Sequence, residues 1–257
     1  MRSLLFVPAH KEELVKKAIN SDADAVIFDL EDSCPGEANK EFGINNILKY
    51  KDSSVPKTIT RVSEADQIPL VDTEYIMWPK AEWDQYIPWI VGYKSKIILL
   101  IETALGVLGI EQMIQKNLVY GLAFGNEDYL ADTGCSNYDF AQGMIVNYAK
   151  AYEKFAIDSV SIDLHDLTGL EKACQESVNK GFDGKLCIHP KEIPTIHRYF
   201  TPTVERYEYA CKIISLYDQA VRDGSGVAII GGVYVAPPMV KMAKKIIDKY
   251  ENYTQKH

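Results

Sequence analysis

The sequence predicts a TIM (β/α)8 barrel with a C-terminal helical extension. Short apolar runs alternate with amphipathic stretches, as the repeated strand–helix units of such a barrel require. Most of these runs are apolar at every position, which is typical of parallel strands buried on both faces. The chain has 257 residues, an ordinary length for one α/β barrel. A doubly wound open sheet is the alternative fold.

Eight apolar runs are candidates for the barrel strands. They lie at residues 3–7, 25–30, 58–62, 75–78, 97–101, 121–124, 159–164 and 185–188. Amphipathic stretches predict helices between several of them, at residues 11–20, 38–50, 138–155 and 170–180. Eight strands joined by helical crossovers favour the closed barrel over the open sheet.

We expect a single domain that spans residues 1–257. The barrel would occupy about residues 1–203 and the helical extension about residues 204–257. Within the extension, a long helix is predicted at 204–223, a Gly-Ser-Gly break follows, and a basic helix is predicted at 239–249. This tail is expected to be part of the barrel domain, with a neighbouring subunit as one surface on which it could pack.

Composition and charge exclude two classes of partner. The formal net charge is −8 and no run of Lys and Arg stands out, so we expect no nucleic-acid binding. Pro8 interrupts the apolar start, and the uncharged stretch 227–240 is too short to span a bilayer, so neither a signal peptide nor a membrane segment is expected. Five scattered cysteines without CxxC spacing predict reduced thiols and a cytoplasmic location.

Ionisable side chains follow nearly every predicted strand. In chain order they are Asp29, Glu31 and Asp32 after the second strand, Arg61 after the third, Lys80 after the fourth, Glu102 after the fifth, Asp128 after the sixth, Asp163 and Asp166 after the seventh, and His189 after the eighth. Surface charges scattered at random would not collect at one end of the strands. Because the loops after the strands carry the chemistry of such barrels, we expect the functional site there.

Glu102 and Asp128 are the predicted metal ligands. Each follows an apolar strand, and the two strands are neighbours in the predicted barrel. Neighbouring strands lie about 4.8 Å apart, so two carboxylates at their ends can share one small cation. A few hard oxygen ligands, with the other positions left to water and substrate, are typical of Mg²⁺ sites. The alternative is that either acid caps a helix or pairs with a lysine.

Three other side chains have two interpretations each. Arg61 either pairs with Asp29 or Glu31, or forks onto a substrate carboxylate, and the two roles can coexist. Lys80 is an ion-pair partner or, on the sharper hypothesis, a Schiff-base lysine. His189 either moves protons or caps the helix that follows it.

Six segments in collinear order resemble a known family. They are RSLLFVP at 2–8, DAVIFDLEDS at 24–33, PKAE at 79–82, LIET at 100–103, LAFGNED at 122–128 and GFDGKLCIHP at 181–190. Together they resemble the citrate lyase β-subunit-like proteins of the HpcH/HpaI aldolase/citrate lyase group, and the resemblance extends over about residues 2–203.

The resemblance implies a TIM barrel that assembles as a homo-oligomer, a trimer or a hexamer. It implies Mg²⁺ held at the positions of Glu102 and Asp128. Arg61 matches the arginine that binds substrate oxygens, and Asp29 and Asp32 match acidic site residues. Members of the family make or break 3-hydroxyacyl-CoA compounds such as citryl-, malyl- or citramalyl-CoA. We therefore expect a carbon–carbon lyase or aldolase acting on a small hydroxy- or oxo-carboxylate, with a CoA thioester as one option.

This sequence departs from the family pattern at two positions. Family lyases carry an aspartate before the last helix that acts as acid/base in a neighbouring subunit's site, and Ala236 aligns there. Ser63 stands where the family has asparagine after the site arginine. Loss of a general acid/base typically costs about 10²–10⁴-fold in rate. Two alternative functions follow: a repurposed metal- and anion-binding barrel with different chemistry, or a non-catalytic subunit of a complex.

For the site, the catalytic candidates are Arg61, Asp32, Asp29 and His189. Arg61, Glu102 and Lys80 are the candidates for substrate binding.

Overall fold

A computed structural model describes residues 1–52, 57–83 and 94–254 of the chain. They form two compact units, which divide between His197 and Arg198. The first unit is a closed barrel of eight parallel strands in chain order, in which the first strand also pairs with the eighth. The strands are β1 Ser3–Pro8, β2 Ala25–Asp29, β3 Lys57–Arg61, β4 Tyr75–Trp78, β5 Lys96–Ile101, β6 Val119–Phe124, β7 Phe155–Asp158 and β8 Gly184–Cys187. This topology confirms the predicted TIM barrel.

Helices follow most of the strands. In the barrel unit they are α1 Glu12–Ile19, α2 Glu37–Tyr50, α3 Ile68–Val71, α4 Ala104–Leu108, α5 Ile110–Ile114, α6 Asn126–Thr133, α7 Asp139–Ala151 and α8 Leu167–Lys180. A further helix, α9 Ile193–Phe200, contains the division between the two units. No helix within residues 1–52, 57–83 and 94–254 is both long and apolar enough to cross a membrane.

The barrel interior is filled by apolar side chains that come from all eight strands. Leu4, Ile27, Ile59, Ile98 and Leu186 belong to one buried cluster. The side chains between them on each strand are also buried, because helices cover the outside of the barrel. Burial on both faces explains why the strands are continuous apolar runs in the sequence.

The prediction for the seventh strand was wrong. It placed the strand at residues 159–164, and it extended the preceding helix to residue 155. The helix instead ends at Ala151, and Glu153 adopts a left-handed backbone (φ 55°) that turns the chain into β7. Asp166, predicted at the end of this strand, instead caps α8 by accepting a hydrogen bond from the Gly169 N–H at 2.8 Å.

The second unit contains two long helices and a β-hairpin. Helices α10 (Val204–Arg222) and α11 (Pro237–Thr254) pack through a buried apolar cluster that includes Ala210, Ile213 and Val240. The hairpin strands β9 (Ala228–Ile230) and β10 (Val233–Val235) lie in the stretch between the helices. Both helices were predicted, whereas the hairpin was not.

Candidate active site at the carboxyl end of the barrel

The strand register places a carboxylate directly beside a guanidinium. Asp29 is the last residue of β2 and Arg61 the last residue of β3, and the two are register partners. Arg61 Nε donates to Asp29 Oδ1 at 2.7 Å, and Nη2 donates to Oδ2 at 2.7 Å. Asp29 also accepts from the Ser33 hydroxyl at 2.5 Å and from the Glu31 N–H at 2.9 Å. Although burial opposes ionisation, the bonds from Arg61 hold the pKa of Asp29 below its usual range.

The remaining edge of the Arg61 guanidinium faces two further acids. Nη1 lies 2.9 Å from Glu31 Oε2 and 3.2 Å from Asp32 Oδ2. The ring of Phe6 lies under the guanidinium, with 4.9 Å between its centroid and the central carbon. Burial opposes the charge of Arg61, but the bonds to Asp29 and the neighbouring acids raise its pKa. Structural pairing, one of the two predicted roles, is therefore present.

Glu102 presents a deeply buried carboxylate. It follows β5 directly, and its residue surface is 1% exposed. Oε1 accepts a hydrogen bond from the backbone N–H of Lys80 at 2.6 Å. Burial raises the pKa of Glu102 to about 8; the Lys80 N–H opposes this shift, and the charges of Asp128 and Glu31 reinforce it. The ionised form of such a buried acid can be stabilised by a cation bound beside it.

Gly125 makes room for that carboxylate. It follows β6, and its N–H bonds the carbonyl of Ile101 at 3.0 Å, so its Cα faces the Glu102 side chain. A Cβ added at Gly125 would lie 2.8 Å from the Cβ of Glu102 and closer still to its Oε2. Any larger residue would therefore force the carboxylate to move.

Lys80 lies between the acids of three strand ends. Its backbone N–H binds Glu102, while its ammonium Nζ lies 2.9 Å from Glu31 Oε1 and 3.6 Å from Asp128 Oδ1. Burial opposes its charge, but the hydrogen bond to Glu31 and the charges of Glu31, Glu102 and Asp128 raise the pKa of Lys80. The residue has a left-handed backbone with φ 45°, which is uncommon outside glycine. An ammonium held in this way is protonated, which is unfavourable for a Schiff-base nucleophile.

A cavity of about 180 Å³ brings the predicted metal ligands together. Its polar lining includes Glu102, Asp128, Arg61 and Asp32, and its apolar lining residues are Phe6, Leu100, Phe124, Val160, Leu186 and Ile188. Within the described residues, no group of three or more His, Cys, Asp and Glu side chains is arranged to hold a metal ion. Two carboxylates on one cavity nevertheless fit the donor set of Mg²⁺, which takes its other ligands from water and substrate.

His189 lies apart from this group. It lines a different cavity, of about 160 Å³, together with His165, Asp163 and Asp166. Its Nδ1 accepts from the N–H of Lys191 at 3.1 Å, which caps the short turn that begins at Pro190. Of its two predicted roles, the structure supports the cap.

A buried polar network at β7 and β8 was not predicted from the sequence. Asp158 ends β7, accepts from Gln142 Nε2 at 2.9 Å and is bonded by the Ser177 hydroxyl. Lys185 of β8 is 2% exposed, and its Nζ donates to the Ser159 carbonyl at 2.6 Å. These residues line a third cavity, of about 520 Å³. The apolar triplet before Asp158 was the available signal, but the misplaced seventh strand hid it.

Comparison with known proteins identifies the family. Residues 68–190 match the model described as HpcH/HpaI aldolase/citrate lyase. A citrate lyase subunit beta-like protein from Mycobacterium tuberculosis is 30% identical in an alignment that covers 95% of this chain and 93% of that protein. The chain belongs to the HpcH/HpaI aldolase/citrate lyase family.

Two further similar proteins are informative. A mitochondrial citramalyl-CoA lyase from Rattus norvegicus is 29% identical, over 96% of this chain and 85% of that protein. The crystal structure of the CitE protein from Mycobacterium tuberculosis, in complex with magnesium, acetoacetate and coenzyme A, superposes with a TM-score of 0.79. Its sequence is 27% identical, and the match covers 97% of each chain. The resemblance found in the sequence motifs is thereby confirmed.

Proposed function

We propose that this family member is a Mg²⁺-dependent lyase that breaks or forms a carbon–carbon bond beside the carboxylate of a small hydroxy- or oxo-acid. The observation that carries the proposal is the cavity shared by Glu102, Asp128 and Arg61. Two lines of comparison support it: a related citramalyl-CoA lyase, and a structural relative that binds magnesium, acetoacetate and coenzyme A.

Glu102 and Asp128 are the proposed metal ligands. Gly125 leaves space for the Glu102 carboxylate, and the Lys80 N–H fixes one of its oxygens. When bound, the metal supplies positive charge that stabilises an oxyanion developing on the substrate. The apolar wall of the cavity excludes water and so strengthens this interaction.

Arg61 is proposed to bind a substrate carboxylate. Two of its N–H groups donate hydrogen bonds to Asp29 on one side, and these bonds fix the plane of the guanidinium. Asp32 is its most exposed partner, with 60% of the side chain accessible, and its contact at 3.2 Å is longer than the other two. A substrate carboxylate could replace Asp32 on Nη1, because the exchange keeps one charge-assisted hydrogen bond.

Asp32 and Lys80 are proposed to act on the bound substrate. Asp32 lies at the cavity and, once displaced from Arg61, is free to accept a proton. The half-exposed ammonium of Lys80 is placed to attract an anionic substrate. Asp29 is 2% exposed and fully bonded, so we give it the role of positioning Arg61. His189, the other predicted proton carrier, lines the separate cavity of about 160 Å³ and caps the turn at Pro190, so the proposed mechanism does not use it.

Ala236 leaves a gap in the proposed mechanism. It lies directly before α11, and we infer that it occupies the position where the family pattern has an acid. We propose that the protein assembles as a homo-oligomer, a trimer or a hexamer, as the resemblance implies. The proton that the missing aspartate would supply must then come from another group, and we expect a slow enzyme.

The test is a cleavage assay on purified protein with citramalyl-, malyl- and citryl-CoA and with free 4-hydroxy-2-oxo acids. We expect at least one substrate to be cleaved with Mg²⁺ and none with a chelator. Glu102→Gln should be inactive. No cleavage of any substrate by metal-loaded protein would contradict the proposal and favour a repurposed or non-catalytic barrel.

Ala236→Asp provides a second test of the lyase assignment. Restoring the acid should increase the cleavage rate at least about 10-fold, since general acid/base groups contribute about 10²–10⁴-fold. Ala236→Asn is the matched control, because it has the same size but cannot carry a proton to the substrate. Equal rates for the two variants would argue against a family-type acid at this position.

A further inference from the structure

Lys80 contacts the candidate metal site in two different ways. Through its backbone N–H it holds Glu102, at 2.6 Å. Through its ammonium it faces Glu31 at 2.9 Å and Asp128 at 3.6 Å. One residue thus orients one candidate metal ligand and neutralises the other.

The backbone conformation of Lys80 makes both contacts possible. A left-handed φ of 45° in a residue other than glycine costs free energy. It sets the N–H towards β5 and lets the side chain reach β2 and β6. The neighbouring Ala81 N–H is anchored to the Leu100 carbonyl at 3.1 Å, which holds this segment beside Glu102.

The ammonium supplies positive charge where the metal would also supply it. Glu31, Glu102 and Asp128 bring three carboxylates to this corner, and among the described residues the cations that pair with them are Lys80 and the already paired Arg61. A divalent ion on Asp128 would be repelled by an ammonium 3.6 Å from the same carboxylate. Nearly half of the Lys80 side chain is exposed, so it can swing outward.

We propose that the Lys80 ammonium competes with the divalent metal for this carboxylate cluster, and that an anionic substrate relieves the competition by drawing the ammonium away. Metal and substrate then bind cooperatively. Each raises the affinity for the other by the same factor, because such coupling is reciprocal. The inference rests on the proposed metal site and assigns to Lys80 the coupling between the two ligands.

Binding of Mn²⁺, measured by electron paramagnetic resonance with and without pyruvate, tests the inference without relying on activity. Mn²⁺ prefers the same oxygen ligands as Mg²⁺, and pyruvate is the probe for a small 2-oxo carboxylate. Without pyruvate, Lys80→Met should bind Mn²⁺ about 10-fold more tightly than wild type, since a nearby positive charge is removed. Pyruvate should tighten Mn²⁺ binding in wild type and much less in Lys80→Met.

Three further variants serve as an alternative and as controls for this test. Lys80→Gly relaxes the left-handed backbone and keeps the N–H to Glu102. It should also bind Mn²⁺ more tightly than wild type, and it therefore provides the same test if methionine disturbs the fold. Lys80→Arg keeps the charge and should resemble wild type. Lys96→Met removes a lysine that pairs with Glu74 at 2.8 Å, at the start of β5. It should leave Mn²⁺ affinity unchanged.

The outcomes separate this inference from the proposed function. If wild type binds Mn²⁺ and neither Lys80→Met nor Lys80→Gly binds it more tightly, the competition is wrong while the metal site stands. If Lys96→Met tightens binding equally, net charge explains the effect and the inference is again overturned. If neither wild type nor the Lys80 variants bind Mn²⁺, the metal site itself is wrong and both proposals fail.

Discussion

The two ends of the barrel carry the same kinds of charged residue but use them differently. At the amino-terminal end, Asp24 accepts from Arg2 through the backbone N–H, Nε and Nη2, at 2.5, 3.1 and 2.8 Å. His197 Nε2 lies 3.6 Å from the same carboxylate and 2.8 Å from the Ser3 hydroxyl. At the carboxyl end, Glu102 is more deeply buried and has a single backbone donor within the described contacts.

The pKa values show what this difference means. Although burial opposes it, bonding by Arg2 lowers the pKa of Asp24. Burial raises the pKa of Glu102 to about 8. The amino-terminal carboxylate is therefore satisfied by the fold, whereas the carboxyl-end one is better satisfied by an added cation. Charges of the first kind contribute to stability, and charges of the second kind mark a ligand site.

Glu102→Gln should have the largest effect, a loss of metal binding at the carboxyl end of the barrel. Removing one of two proposed ligands should weaken Mn²⁺ binding by about 100-fold or more, since even outer-shell partners of a metal commonly contribute about 10–100-fold. The amide can still accept the Lys80 N–H, so the fold should survive. Titration with Mn²⁺ measures the first effect and thermal unfolding the second. Unchanged Mn²⁺ affinity would contradict the assignment of Glu102.

Asp24→Asn should produce the opposite result at the amino-terminal end. It removes the negative charge that pairs with the largely buried guanidinium of Arg2, which we expect to cost about 2–3 kcal/mol of unfolding free energy. Mn²⁺ affinity of the folded protein should stay within about twofold of wild type. Denaturant unfolding and Mn²⁺ titration together check this. A loss of metal affinity as large as that of Glu102→Gln would erase the contrast between the two ends.

Gly125→Ala tests the position of the Glu102 carboxylate without changing a charge. The added methyl group would collide with the Glu102 side chain, where its carbon would lie 2.8 Å from the Glu102 Cβ. We expect Mn²⁺ affinity to fall about 10-fold because the carboxylate is pushed out of position. Gly134→Ala has open space around it but a positive φ of 68°, so it is a control for backbone strain alone. Equal losses in the two variants would remove the steric argument.

The pH dependence of stability should show the smallest effect. The pKa of Glu102 lies at about 8 in the folded metal-free protein, above its ordinary value of 4.5. Between those values the folded state binds a proton that the unfolded state has lost, so the unfolding free energy should fall as the pH rises from about 5 to about 8. In Glu102→Gln the fall should be shallower. Parallel curves, measured by urea unfolding in a chelator, would contradict the raised pKa.

Most of the barrel could be predicted from the sequence because its strands are buried on both sides. Continuous apolar runs located seven of the eight strands correctly to within two residues at each end. β7 was missed because its apolar residues, Phe155 to Ile157, follow α7 closely and the predicted helix was extended to the first of them. The hairpin of the second unit was missed because its strands have only three residues each, although Gly231 and Gly232, both with positive φ, are a typical two-residue hairpin turn.

The candidate site was predictable only as far as strand ends determine position. Glu102 and Asp128 follow neighbouring strands, and their shared cavity was expected from that alone. The pairing of Arg61 with Asp29 was one of two predicted options. The bridging position of Lys80 depends on a left-handed backbone and on side-chain directions across three strands. Neither follows from spacing along the chain.

Glu102 and Asp128 should together hold one divalent ion in the shared cavity. This assignment is tested most directly by anomalous diffraction from crystals grown with Mn²⁺ and pyruvate. We expect one strong peak between the two carboxylates, about 2.1 Å from an oxygen of each, with pyruvate against it. A peak elsewhere, or density for the Lys80 ammonium in that position at saturating Mn²⁺ and pyruvate, would contradict it.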